Sequence, residues 1–306
     1  MIREFRPDDA EAVAAILHEE PQPQAITPAG LLHWLEAQPE RARPRTFVAE
    51  ADGQIVGWAE SRLTWSTSKP GVADFWLYVR PTFRGRGIGK ALLGTVERRL
   101  EEIGATIIQT WTYIAAGRAL LEGRGFRATG QERISRLELA EADAATFPAL
   151  EEERARDGFR LARLVDVIDD VEGLHRVYQA ASADVPEYFP EDDIRVQEWR
   201  VETLEHPQLT RQGSFAVLSG DEPVALAFLV VDEIGNLAAN EMTGTMPAYR
   251  GRGLARLAKL ATIRWAKEQG LEAILTGNAE ANVGMLHLNE SLGYRPVLTE
   301  THYVRD

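Results

Sequence analysis

The spacing of apolar residues changes in the same order twice along this chain. IREF, residues 2–5, reads as a short strand, and apolar positions at helical spacing follow through Leu17. TFVAEADGQIVGWAES predicts two strands turning at Asp52-Gly53, a pairing that favours tight hairpins. Phe75 to Val79 form an apolar strand, and Pro81 follows. Ile88, Leu92, Val96, Leu100 and Ile103 then recur every three or four residues, which predicts an amphipathic helix. In the second half RLARL opens, SFAVLSGDEPVALAFLVV turns around Gly220-Asp221, and Leu254, Ala258, Ala261 and Trp265 repeat the helical spacing. Each half also pairs an Asp with a Glu three residues on, Asp8 with Glu11 and Asp169 with Glu172, an expected helix start.

These features recur at nearly constant distance. Phe215 follows Phe47 by 168 residues, Arg250 follows Arg84 by 166, and Gly293-Tyr294 follows Gly125-Phe126 by 168. The repeat predicts two homologous domains, 1–145 and 146–306, with the boundary inside the charged segment 140–158. Both halves mix strands with helices.

Composition narrows the chemistry. Among 306 residues, 34 Lys and Arg face 47 Asp and Glu, a net charge of −13, so the whole molecule repels nucleic acid and anionic membrane. No cysteine is present, which excludes disulfides, thiolate zinc sites and a thiol acyl-enzyme. The six histidines lack HxxxH and HExxH spacing, so no metal site is expected, and no GxSxG elbow occurs. The longest apolar run, Val224–Val231, is far shorter than the ~20 residues of a membrane span. The start of the chain has acids ahead of its apolar stretch, unlike a secretory signal, so a cytoplasmic protein is expected.

The most specific repeated element is a loop. Arg84-Gly85-Arg86-Gly87-Ile88-Gly89 and Arg250-Gly251-Arg252-Gly253-Leu254-Ala255 each join an apolar strand to an amphipathic helix. A helix start offers about four unpaired N–H groups and roughly half a positive charge, and glycines let an anion approach them. A phosphate or pyrophosphate is the guest such a loop suits. Walker A and dinucleotide GxGxxG patterns do not fit, because Lys90 is followed by Ala91 and glycines alternate at 85, 87 and 89.

On these residues the chain resembles the GCN5-related N-acetyltransferase (GNAT) superfamily. Its signature, Arg/Gln-x-x-Gly-x-Gly/Ala, is matched by Arg84, Gly87 and Gly89 and again by Arg250, Gly253 and Ala255. The resemblance implies two tandem α+β domains, each a mixed, mostly antiparallel sheet flanked by helices. It implies acetyl-CoA as cosubstrate, its pyrophosphate on the loops and its pantetheine arm along Leu77, Tyr78 and Val79 and along Thr243, Gly244 and Thr245. The family's Asn after the next strand corresponds to Asn278 or Asn282, and the first half has Ala115 to Gly117 there. The family's Tyr, four residues before the Gly of Gly-Phe, is replaced by Leu121 and Asn289, leaving Tyr113 and His287 as candidate substitutes.

The implied reaction is direct transfer from acetyl-CoA to a primary amine in a ternary complex. An amine with a pKa near 10.4 must first lose a proton. Glu241 and Asp74, near the strands before the loops, are the candidate bases, with turnover expected in the second half. The acceptor is a small-molecule or peptide amine; the acidic chain favours cationic amines, and Trp34 and Trp65 hint at an aromatic wall. Neither a nucleic acid nor a membrane partner is expected, and the protein is read as a monomer or homodimer. The alternative is a non-catalytic acyl-CoA-binding sensor or interaction protein, which the missing Tyr favours.

Overall fold

The computed structural model describes residues 1–19, 25–183, 185 and 189–306. In order, β1 (Ile2–Glu4), α1 (Ala10–His18), α2 (Pro28–Glu36), β2 (Arg45–Ala51), β3 (Gln54–Leu63), β4 (Val72–Val79), α3 (Ile88–Glu102), β5 (Ile107–Thr112), α4 (Ala115–Glu122) and β6 (Arg127–Glu138) make the first half. Then come α5 (Phe147–Arg156), β7 (Phe159–Arg163), α6 (Leu164–Val167), α7 (Val171–Ser182), α8 (Val196–Trp199), β8 (Phe215–Ser219), β9 (Glu222–Asp232), β10 (Leu237–Thr245), α9 (Leu254–Glu268), β11 (Ala273–Ala279), α10 (Val283–Ser291) and β12 (Arg295–Arg305). The expected hairpins are present. Asp52 and Gly53 both carry positive φ, 51° and 73°, the pair of left-handed residues a two-residue turn requires.

Two compact units result: one of Met1–Gln22, Ile26–Glu132 and Leu298–Asp306, the other mainly Arg133–Val297. They do not follow the repeat boundary near residue 145. The closing residues return to the first unit because Thr301–Arg305 pair antiparallel with Ile108–Thr112 of β5. Strand order is β1-β2-β3-β4-β5-β12 in the first unit and β6-β11-β10-β9-β8-β7 in the second. Within each unit β4–β5 and β10–β11 are the parallel pairs. The other pairs with a defined register there are antiparallel.

One face of each sheet is closed by the helix after the glycine loop. In the first unit Leu92, Leu93, Val96 and Leu100 of α3 are fully buried against Phe75, Ala59 and Val56. In the second, Leu257, Ala258, Leu260 and Ala261 of α9 pack on Ala225, Ala227 and Leu229. The helix starts shift by one residue from the expected Asp-x-x-Glu frame. Asp170, not Asp169, caps α7 by accepting from the Gly173 N–H at 2.9 Å. Asp9, next to Asp8, turns back to Arg3 and the Arg6 N–H instead of capping α1.

Tyr303 of β12 is buried in the α3 core and donates to Glu122 at 2.9 Å. Tyr303→Ala should cost about 3 kcal/mol or more. Native-state hydrogen exchange should then accelerate in β5 and α3 while β8–β10 amides stay protected; equal loss in both units would contradict this division.

Candidate active site

The two loops are built alike. A single turn, Pro81–Phe83 or Pro247–Tyr249, leaves the strand, and the motif arginine bends back to hold the strand's last carbonyl. Arg84 Nε donates to Val79 O at 3.0 Å and Arg250 Nε to Thr245 O at 3.2 Å. Gly87 (φ 82°) and Gly253 (φ 74°) cap α3 and α9 in the left-handed conformation, which an L side chain adopts only under strain. The first helical bonds are Ala91 N–H to Gly87 O and Leu257 N–H to Gly253 O, both 3.0 Å. The N–H groups of Ile88, Gly89 and Lys90, and of Leu254, Ala255 and Arg256, therefore precede the helical ladder, and no side chain caps them. A Cβ at Gly85, Gly87 or Gly251 would meet nothing within 4 Å, so these positions border open space. At Gly89 it would make only ordinary contacts, which is why Ala255 serves in the other copy.

Behind each loop the parallel pair separates. Pairing of β4 with β5 ends at Asp74↔Gln109, and that of β10 with β11 at Ala239↔Leu275. Beyond these points the backbones of β4 and β10 have left the ladder with β5 and β11, although Phe75 O still accepts from Thr110 Oγ1 at 2.7 Å, and each strand runs on to an uncapped helix start. This brings Leu77–Val79 together with Arg84–Gly89, and Thr243–Thr245 with Arg250–Ala255. Such an edge and helix start suit a phosphate-headed molecule with an amide-bearing arm.

The two strand edges differ in one respect. The register of β10 on β9 shifts between Asn240 and Met242, leaving Glu241 as the extra residue of a bulge. Glu241 is reached by solvent, yet desolvation by the surrounding protein and the charge of Glu191 raise its carboxyl pKa. Asn278 accepts from Asn289 Nδ2 at 2.6 Å, and Asn282 caps α10 by accepting from Met285 N–H at 3.2 Å. His287 is exposed on α10, and Tyr113 is half-buried at the end of β5.

In the first unit Asp74 is held from three sides. It accepts from Gln109 Nε2 at 2.6 Å and Thr64 Oγ1 at 2.8 Å and lies 3.5 Å from Arg62 Nε. Gln109 Oε1 faces His302 Nε2 at 3.0 Å, so Nε2 carries the proton and Nδ1 accepts from Thr129 Oγ1 at 2.7 Å. Burial keeps that imidazole neutral, its pKa lowered to about 4. Arg62 also lies over the rings of Trp34 and Trp76, 5.1 and 4.6 Å from their centroids. Two residues away on the same sheet face sits Glu60, fully buried, its oxygens in no hydrogen-bond geometry. Burial pushes its carboxyl up to about 8, Asp74 adds to this, and Arg62 and Gln38 oppose it. Sequence reading passed over Glu60, although a Glu amid the apolar alternation of VGWAES was its signal.

The family model for the acetyltransferase (GNAT) family matches residues 10–126 and 174–294, so the chain belongs to the GNAT family. It is an acyltransferase, and its acyl donor is acetyl-CoA. Relatives include the mycothiol acetyltransferase of Nocardia farcinica, 29% identical over 86% of this chain and 84% of that one. That of Thermobispora bispora is 27% identical over 98% and 97%. Among solved structures, a tandem GNAT protein from the clavulanic acid biosynthesis pathway has a TM-score of 0.75 at 18% identity, covering 100% of this chain and 98% of that one. A GCN5-related N-acetyltransferase from Sphaerobacter thermophilus has a TM-score of 0.70 at 15% identity, covering 100% and 95%. At such identities the structures speak to the fold, which is two tandem GNAT domains. No helix among the described residues is long and apolar enough to cross a membrane.

Glu60 gives a pH test with a defined sign. Its folded value of about 8 exceeds the ordinary 4.5, so between these values the folded chain holds a proton that the unfolded chain has released. Its favourable contribution is complete below about 4.5 and lost as pH rises through about 8. Urea titrations should show Glu60→Gln gaining stability over wild type across that window, by up to about 1.4 kcal/mol per pH unit. A difference that is flat with pH would contradict a buried, protonated Glu60.

Proposed function

We propose that the protein transfers the acetyl group of acetyl-CoA directly to the primary amine of a small molecule, and that turnover belongs to the second unit. The observation that carries this reading is the bulge at Glu241, on the stretch of β10 that has left the ladder with β11 and leads to the Gly251–Gly253 loop. Bulges re-aim a side chain at the point where a ladder is broken. Glu241 acts as the general base, taking the proton an ammonium acceptor must lose before it attacks. Burial, with the Glu191 charge adding to it, raises its carboxyl pKa and so brings it nearer to that of the amine. Free N–H groups along the edge of β10 stabilise the developing oxyanion, and the loop amides anchor the pyrophosphate. The absence of cysteine favours direct attack over a thiol acyl-enzyme.

In the first unit the candidate carboxylate, Asp74, does not occupy a position equivalent to Glu241 and is committed to Gln109, Thr64 and Arg62. This supports donor binding without turnover there. The names of the relatives support an acceptor related to mycothiol.

Release of free CoA with a panel of primary amines tests the reading. Gly253→Glu should abolish turnover and Gly87→Glu should retain it, because a glutamate at either cap is strained and repels phosphate. Intact turnover in Gly253→Glu with loss in Gly87→Glu would overturn the assignment. Wild-type release no faster than background hydrolysis would favour an acyl-CoA sensor.

Glu241→Gln should lower kcat by about 10²–10⁴-fold. Wild-type kcat/KM should fall as acidification protonates Glu241, at a pH above the ordinary carboxylate value of 4.5. An unchanged rate and pH profile would remove Glu241 as the base.

A further inference from the structure

Beneath the open strand edge, the two units carry opposite chemistry at matching places. In the first unit Phe75 meets Phe126 edge-on at 5.9 Å, and Leu77, Leu93 and Leu121 pack around them. In the second, Tyr294 replaces Phe126 after the same glycine, and its hydroxyl donates to Asn240 Oδ1 at 2.9 Å. Lys259 stands five residues into α9, where Leu93 stands five residues into α3. Its Nζ lies 5.0 Å from the Tyr294 ring centroid. Thr243 replaces Leu77, two residues before the strand end, and Asn289 replaces Leu121, four residues before the glycine.

The bulge matters here a second time. Asn240 stands opposite Leu229 and Thr243 opposite Ala227, and both partners belong to the α9 core. Asn240 and Thr243 therefore share a sheet face although they are three residues apart, and Met242 turns to the other face, opposite Phe228.

Four buried atoms of this set have no hydrogen-bond partner within the protein: Asn240 Nδ2, Thr243 Oγ1, Lys259 Nζ and Asn289 Oδ1. Lys259 is 1% exposed and Asn289 2% exposed. Burial alone lowers the Lys259 amine to about 7, and no charged group on α5, β8, β9 or β10 contributes to that shift. An unmet buried polar atom loses its hydration without replacement, and native proteins tolerate few of them. A set confined to one face of one unit, where the repeat shows that apolar residues fit, calls for a partner from outside the chain. Thr245 to Asn240 spans five residues, about 16 Å of extended strand leading away from the phosphate loop. An extended chain bearing amides, carbonyls and a hydroxyl supplies donors and acceptors along such a path.

Resting on the assignment of acetyl-CoA to the second loop, we infer that Asn240, Thr243, Lys259 and Asn289 bind the polar pantetheine arm of the donor through their side chains, and that the first unit lacks this grip. The first unit is left with backbone and apolar contacts. Thr243 Oγ1 and Lys259 Nζ make no hydrogen bond in the free protein, so deleting them should leave the free fold as stable or more so while weakening donor binding. A merely structural role predicts no such divergence.

Native mass spectrometry and calorimetry on Thr243→Val and Lys259→Met, each combined with Gly87→Glu so that only the second site is counted, test this with two probes. CoA carries the arm, and adenosine 3′,5′-bisphosphate lacks it. Each variant should bind CoA roughly three- to tenfold more weakly, as loss of one hydrogen bond implies, with unchanged binding of the bisphosphate and an equal or higher melting temperature. Unchanged CoA affinity, or equal loss for both probes, would overturn the inference and leave the acetyl-CoA reading standing. Failure of the Gly87→Glu parent to bind CoA at all would sink both.

Discussion

Each unit depends on a parallel strand pair that holds for three residues and then lets go. Up to Asp74 and Ala239 the pairs are ordinary ladders; beyond them the backbone of β4 and β10 turns an unpaired edge outward. An unpaired edge is a liability in a sheet, since its N–H and C=O groups must find partners. Here it runs into a helix whose first N–H groups are also uncommitted, because Gly87 and Gly253 start α3 and α9 in a conformation that offers no side-chain cap. In the proposed reading, the phosphate-and-amide character of the acyl donor answers both needs. The motif arginines act on the protein side, fixing the strand end to the loop through Val79 O and Thr245 O.

On this shared frame the halves have diverged. The first unit invests its polar groups on the face away from α3, where Asp74, Gln109, His302 and Thr129 form a bonded chain beside Arg62 and the tryptophans. Its α3 side is mostly apolar, with Phe75, Leu93, Leu121 and Phe126 in one cluster. The second unit reverses this: Trp199 stacks on Phe228 on the face away from α9, and polar groups gather around Tyr294 on the α9 side. A buried carboxylate held from three sides makes a rigid scaffold, and a solvent-reached carboxylate on a bulge is free to exchange protons. The contrast between Asp74 and Glu241 supports a division into a holding unit and a reacting one.

Much of the frame was legible in the sequence because its signals are local. Helical spacing from Ile88 to Ile103, the Asp52-Gly53 turn and the glycines at 85, 87, 251 and 253 each report a backbone conformation within a few residues. What escaped depends on pairing over long distances. An alternating strand such as β12 looks the same whichever partner it takes, so the return of Thr301–Arg305 to β5 has no local mark. A bulge needs a register against β9 before Glu241 can be seen as its extra residue. Glu60 and Lys259 carry charge in otherwise apolar settings. Aligning the repeat position by position, Lys259 on Leu93 and Tyr294 on Phe126, was the available signal for the second of them.

Hydrogen exchange of the full chain with and without acetyl-CoA tests most directly that backbone groups of both loops and both open strand edges hold the donor. Saturating acetyl-CoA should slow exchange at residues 85–90 and 251–256 and along 75–79 and 240–245. Protection that spares the loops, or none at any of these segments, would contradict the account.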